Sequence, residues 1–166
     1  DIGLWNVSNV NTMYQMFNNA SVFNQDLTWN VSNVTEMNYM FYQAFAFNGS
    51  IHTWNTINVK NMTNMFYYAQ AFNKIPSSWN VSNVTDMSSM FQSASVFNQP
   101  LNQWNTINVT YMNSMFNFAT AFNQDIGNWQ VSNVTDMTFM FQNASKFNQD
   151  IGSWNTINVN DMSNMF

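Results

Sequence analysis

Seven tryptophans set the period of this chain. They stand at Trp5, Trp29, Trp54, Trp79, Trp104, Trp129 and Trp154; the first gap is 24 residues, the other five are 25, and no Trp lies outside the series. A fixed period of this length marks a repeat architecture, in which one small unit cannot bury its own apolar face and must stack on its neighbours. The other columns keep the same beat. Asn stands four places after every Trp, from Asn9 to Asn158, and Val follows it each time. Met stands eight and eleven places after, and those two columns hold all 14 Met of the chain. Phe follows the second Met, from Phe17 to Phe166, and Ala and a Phe-Asn pair come later in each continuing copy, as at Ala144 and Phe147-Asn148. From the third copy on, Trp-Asn-Thr-Ile-Asn-Val alternates with Trp-Asn/Gln-Val-Ser-Asn-Val, which points to a 50-residue pair as the duplicated unit. Residues 1–166 therefore read as a single array of about seven copies, the first and last incomplete.

Within the copy from Trp79 to Gln103, Val84, Met87, Met90, Phe91, Ala94 and Phe97 fall on the stripe of a 3.6-residue helix. The spacing predicts a short helix from about Asp86 to Ser93, ending near Ala94, with Thr85 as N-cap and Asp86 in its first turn. Thr135-Asp136 and Thr35-Glu36 repeat the device. Trp79 and Val81 alternate with polar neighbours and predict a short strand, with Pro100, Gly127 and Gly152 marking turns before it. The expected fold class is an α/β repeat solenoid, a leucine-rich-repeat-like right-handed coil with one short parallel strand and one short helix per repeat. The Met and Phe columns are its expected core. The Asn columns are expected to bond the backbone of their own and neighbouring coils.

The run Trp-Asn-Val-Ser-Asn-Val-Thr-Asp-Met-x-x-Met-Phe-x-x-Ala-x-x-Phe-Asn-Gln, at Trp79 to Gln99 and, with Gln130, at Trp129 to Gln149, resembles the BspA-type bacterial surface-protein repeat, a family also found in mycoplasma-type lipoproteins. The usual copy has Trp-Asp-Val-Ser where this chain has Asn. The resemblance covers the whole chain. It implies a fold akin to short leucine-rich repeats, surface exposure, and adhesion to glycans or to host or matrix proteins, with no catalytic motif.

The residues themselves point away from catalysis. His52 is the only histidine and there is no Cys, so neither a thiolate site nor a His pair can form. No phosphate-binding Gly-rich loop is present, and no base recurs beside the serines. The acids form two broken columns. Asp26, Asp125 and Asp150 are interrupted by Ser50, Ile75 and Pro100; Glu36, Asp86, Asp136 and Asp161 are interrupted by Asn61 and Tyr111. Stacked acids could bind calcium, which prefers oxygen ligands, but capping accounts for the second column without a metal. No enzyme activity, cofactor or metal is expected. Only Lys60, Lys74 and Lys146 are basic, and the net charge of −5 opposes binding to nucleic acid or anionic lipid. No run of about 18 apolar residues is present to enter a membrane.

The expected function is an extracellular structural or interaction array: surface, adhesion or filament. The alternative is a carbohydrate-binding module, since Tyr42, Tyr67, Tyr68 and Phe118 could stack on pyranose faces; an ice- or mineral-binding face carrying Thr56, Thr106 and Thr156 is a weaker match. Eleven Asn-x-Ser/Thr acceptors occur. Asn19, Asn61 and Asn143 lie in variable columns and are the favoured glycosylation sites; Asn6, Asn30, Asn33, Asn48, Asn80, Asn83, Asn108 and Asn133 are the others. The chain opens in mid-repeat at Asp1 and stops at Met165-Phe166, so apolar end faces are expected to meet a continuation of the array or a second copy, head to tail.

Overall fold

The computed structural model describes residues 1–74, 76 and 79–166. The repeats stack, but among the described residues they do so without a helix, which overturns the expected α/β leucine-rich-repeat-like coil. Among the described residues the only β-pairing is a file of single parallel bridges, Thr12 to Glu36, Asn61, Asp86, Tyr111, Asp136 and Asp161 in turn. Each repeat is instead a train of tight turns. In the repeat at Trp79, N–H groups bond to carbonyls three residues back: Val84 to Val81 at 2.9 Å, Met90 to Met87 at 3.2 Å, Gln92 to Ser89 at 3.1 Å, Ala94 to Phe91 at 3.1 Å and Phe97 to Ala94 at 3.1 Å.

The predicted helix fails for a backbone reason. Ser89 and Ser93 have φ of 55° and 59°, in the left-handed region that a right-handed helix excludes. Their columns are left-handed throughout, from Gln15 and Asn19 to Phe139 and Asn143. A left-handed third residue is what a type II turn requires, and Met87–Met90 and Phe91–Ala94 are turns of that pattern. The reversal frees alternate N–H groups to leave the repeat. Met87, Ser89, Phe91 and Ser93 donate to the carbonyls of Tyr111, Asn113, Met115 and Asn117 in the next repeat at 2.7–3.0 Å. Thr85 is no N-cap; its N–H bonds back to the Lys60 carbonyl at 2.9 Å, and its hydroxyl reaches the same oxygen at 3.3 Å. The predicted strand at Trp79 and Val81 does not form either; neither residue takes part in a β-bridge, and both are buried.

Turns that return to one side every third residue bury the same stripe that a helix would. Val84, Met87, Met90, Phe91, Ala94 and Phe97 are all fully buried. The core is a set of aromatic columns. The two Phe rings of a repeat stack at 3.9–4.2 Å. Phe17, Phe41, Phe66, Phe91, Phe116, Phe141 and Phe166 succeed one another at 5.3–5.8 Å. The Phe23, Phe47, Phe72, Phe97, Phe122 and Phe147 column follows at 5.9–6.1 Å. Trp pairs stack at 6.1–6.5 Å with planes within 8° of parallel, as at Trp29–Trp54 and Trp129–Trp154.

Candidate interaction surface

The recurring polar side chains hold the stack together. The Asn four places after each Trp is exposed, yet its amide donates to a carbonyl of an earlier repeat: Asn33 to Ser8, Asn58 to Ser32, Asn83 to Ile57, Asn108 to Ser82, Asn133 to Ile107 and Asn158 to Ser132, at 2.7–2.8 Å. The Phe-Asn column works in the opposite sense. Oδ1 of Asn24, Asn48, Asn73, Asn98 and Asn123 accepts the backbone N–H of the corresponding Asn one repeat on, at 2.8–3.0 Å. Gln99, Gln124 and Gln149 add a second donor to three of these oxygens. Indole N–H groups of Trp29, Trp54, Trp79, Trp129 and Trp154 donate to earlier backbone carbonyls at 2.8–3.3 Å. A Phe would fill the same column but could not make that bond.

The acids belong to turns. Asp86, Asp136 and Asp161 each accept the N–H two residues on, at 2.8–2.9 Å, and Asn61 does the same at 2.9 Å. These are Asx-turns, so an acid and an amide serve equally and the column mixes them. Asp125 and Asp150 hold Gly127 and Gly152 in the same way, while Asp26 accepts the Ser50 N–H at 2.7 Å. Glu36 lies on the file of bridges. Ile75 lies outside the described residues. Among those described, no three His, Asp or Glu come together as a metal would need. The Ser163 hydroxyl and N–H hold the Asp161 carboxyl below the usual carboxylate range. His52 is exposed, with Ser50 Oγ 2.6 Å from its Nδ1.

The glycosylation candidates separate by environment. Asn19 and Asn143 are exposed and left-handed, with the Asn19 amide 2.7 Å from Asn18 Oδ1; Asn61 is half-buried in its turn. Asn6, Asn30 and Asn80 accept the N–H of the Ser that completes their motif at 2.9–3.2 Å, and Asn61 that of Thr63 at 2.9 Å, so turn chemistry accounts for these residue pairs. Asn33, Asn83, Asn108 and Asn133 belong to the amide ladder, and Asn48 to the Phe-Asn ladder. The threonine face of the ice reading lies inside: Thr56 and Thr106 are fully buried and donate to the Asn80 and Gln130 carbonyls at 3.0 Å. They replace the buried Val31, Val81 and Val131, which explains the 50-residue alternation.

One constellation breaks the repeat. Tyr14 meets Tyr39 edge-on at 6.1 Å, Tyr39 meets Tyr42 at 5.5 Å, Tyr42 stacks on Tyr67 at 4.6 Å with planes 3° apart, and Tyr67 meets Tyr68 at 4.9 Å. Five of the six tyrosines thus form one surface strip across three repeats. Tyr14 is 52% exposed and Tyr68 37%, while the middle three are half-buried. Burial, the neighbouring Tyr42 and Tyr68 phenols, and a hydrogen bond with Tyr42 push the Tyr67 hydroxyl above the ordinary phenol value. Of the aromatics singled out in the sequence, Tyr42, Tyr67 and Tyr68 come together here. Phe118 stands elsewhere, 48% exposed, and Tyr14 and Tyr39 join unannounced. Their membership was hidden because they sit nine and ten places after Trp while Tyr42, Tyr67 and Tyr68 sit thirteen or fourteen after, and only the turn train folds those columns together. Elsewhere a shallow groove lined by Asn58, Lys60, Asn83, Thr85 and Asn108 runs between the amide ladder and its neighbours.

Among the described residues there is no helix long and apolar enough to cross a membrane. No curated protein and no solved structure matches the chain. One family model does, twice: residues 1–82 and residues 74–166 each match the family described as "Mycoplasma protein of unknown function, DUF285". The two matches span the whole array, and the chain belongs to this mycoplasma-type repeat family.

Proposed function

We propose that the chain is a non-catalytic structural and interaction array displayed on an extracellular surface, serving adhesion or forming part of a filament or envelope. The observation that carries this reading is the use of the recurring polar groups. Asn, Gln, Trp, Thr and Asp side chains that recur with the repeat bond to neighbouring repeats or close turns, so the invariant chemistry builds length rather than a convergent site. The motif's resemblance to BspA-type surface repeats supports the surface placement. Each repeat also has a donor side and an acceptor side along the turn segment, so a contact that reused this pattern would be head-to-tail.

Two measurements test the reading. Antibody labelling of intact cells of the source organism is expected to decorate their outside; label found only after lysis would overturn the surface placement. Negative-stain microscopy with sedimentation across a concentration series is expected to show rods that lengthen; a monomer at every concentration would remove self-association. A sugar coat at Asn19, Asn143 and Asn61 is part of the same proposal, and peptide mass mapping of native material decides it, with unmodified peptides at all three positions rejecting modification.

A further inference from the structure

We propose that the strip formed by Tyr14, Tyr39, Tyr42, Tyr67 and Tyr68 binds a neutral saccharide chain laid along the stacking axis. This deepens the surface reading and rests on it for its biological setting. Three observations carry it.

The strip is not required by the fold. In the repeat at Trp79 the same columns hold Ser88, Ser89, Gln92 and Ser93, and the turns and inter-repeat bonds there are the same. The left-handed φ of Tyr39 and Tyr68, 59° and 56°, is set by the turn and is shared by Ser89 and Ser93 in the same columns. Aromatic rings kept on the surface where serine serves the same turns point to a use other than stability.

The strip is chemically matched to neutral hydroxylated rings. None of the residues nine, ten, thirteen or fourteen places after any Trp is charged, in a chain of net charge −5. An acidic glycan finds no cation there, and a basic peptide finds no carboxylate. What the strip offers is phenol rings with hydroxyl tips, flanked by the amides of Asn38, Gln43 and Asn64. Tyr42 and Tyr67 cover each other's faces, so a sugar chain meets their edges and hydroxyl tips, while the more exposed Tyr14 and Tyr68 at the two ends of the strip offer ring surface to sugar C–H groups.

The strip is also extended along the axis. It crosses three successive repeats, with Tyr14, Tyr39 and Tyr42, and Tyr67 and Tyr68 contributed in turn, and the two rings in equivalent positions, Tyr42 and Tyr67, stand 4.6 Å apart. That advance per repeat is close to the length of one pyranose unit in a linear chain. An oligomer can therefore keep register where a monosaccharide touches one rung only.

The test uses the 166-residue chain and a panel of neutral oligosaccharides of glucose, N-acetylglucosamine and mannose, graded in length, with heparin and a proline-rich peptide as the other probes. The main variant combines Tyr39→Ser, Tyr42→Gln, Tyr67→Gln and Tyr68→Ser, residues that this protein itself carries at Ser89, Gln92 and Ser93. A single Tyr67→Gln variant serves if the fourfold variant fails to melt cooperatively. Phe118→Ser, off the strip, is the control. The expected result is binding of a neutral oligomer that strengthens with its length, weakens tenfold or more in the tyrosine variant, and is unchanged in the control. The proposal is overturned if no neutral oligosaccharide binds, if the tyrosine variant binds equally well, or if only heparin or the peptide is captured. Cell labelling reports on the surface reading independently, so the failure of one can be told from the failure of the other.

Discussion

Ser89, at φ 55°, tests the turn backbone with one substitution. Ser89→Gly removes the steric penalty of a left-handed L residue and is expected to raise stability by about 0.5–1 kcal/mol, after allowing for the greater freedom of Gly in the unfolded chain. In a helix the same change would lower stability by a similar amount, so the sign of the shift in denaturation midpoint decides between the two. Asn108 tests the amide ladder. Asn108→Asp replaces a donor 2.7 Å from the Ser82 carbonyl with a carboxylate oxygen and is expected to cost about 1–3 kcal/mol at neutral pH, read as a lowered denaturant midpoint. The titrating groups act in opposite directions. Tyr67 holds its proton more tightly when folded, so its contribution is complete below the ordinary phenol value of 10.0 and is lost as pH rises from there through its folded value. Asp161 is held below its ordinary 3.8, so its contribution is present above that value and is lost as pH falls through its folded value. Melting temperature followed from acid to alkali, with tyrosinate absorbance at the alkaline end, checks both directions.

A repeat was legible in its period and its core, but not in its backbone. The stripe Val84, Met87, Met90, Phe91, Ala94, Phe97 satisfies a helix and a train of three-residue turns alike, because both bring every third residue to one side. The distinguishing signal was Asn at positions 19, 64, 143 and 164, columns that a helix would place in its interior turns and that Asn, more than most residues, tolerates as left-handed. Glycine, the usual marker, is missing from both columns. The Asp column misled in the same way, since an Asp after Thr, as at Thr85-Asp86, suits the first turn of a helix and an Asx-turn equally. The tyrosine strip was legible only in part, because its members draw on columns whose adjacency depends on the turns. At this scale Trp54 is the sensitive residue. Its indole N–H donates to the buried Leu27 carbonyl at 2.8 Å, and Trp54→Phe keeps an aromatic ring but leaves that oxygen unpaired, at a cost of about 1–3 kcal/mol before any void is counted. Thermal denaturation of the variant measures it.

Across the molecule, the inter-repeat bonds described run between neighbouring repeats, so stability is a sum of similar interfaces. Deleting residues 105–129 removes one full period and joins Trp104 to Gln130 in register. The shortened chain is expected to keep its circular dichroism per residue and to melt cooperatively at a lower temperature. Deleting residues 105–116 breaks the period and is expected to abolish the transition. The parallel tryptophans have a photophysical consequence. Indoles 6.1–6.5 Å apart, with planes within 8° of parallel, are closely coupled chromophores. Excitation absorbed by one passes to its stacked neighbour before emission. Iodide, which reaches only the exposed Trp5, should therefore quench more of the emission than one indole carries, through Trp29 and Trp54 stacked behind it. The Trp5→Phe variant should lose that excess quenching.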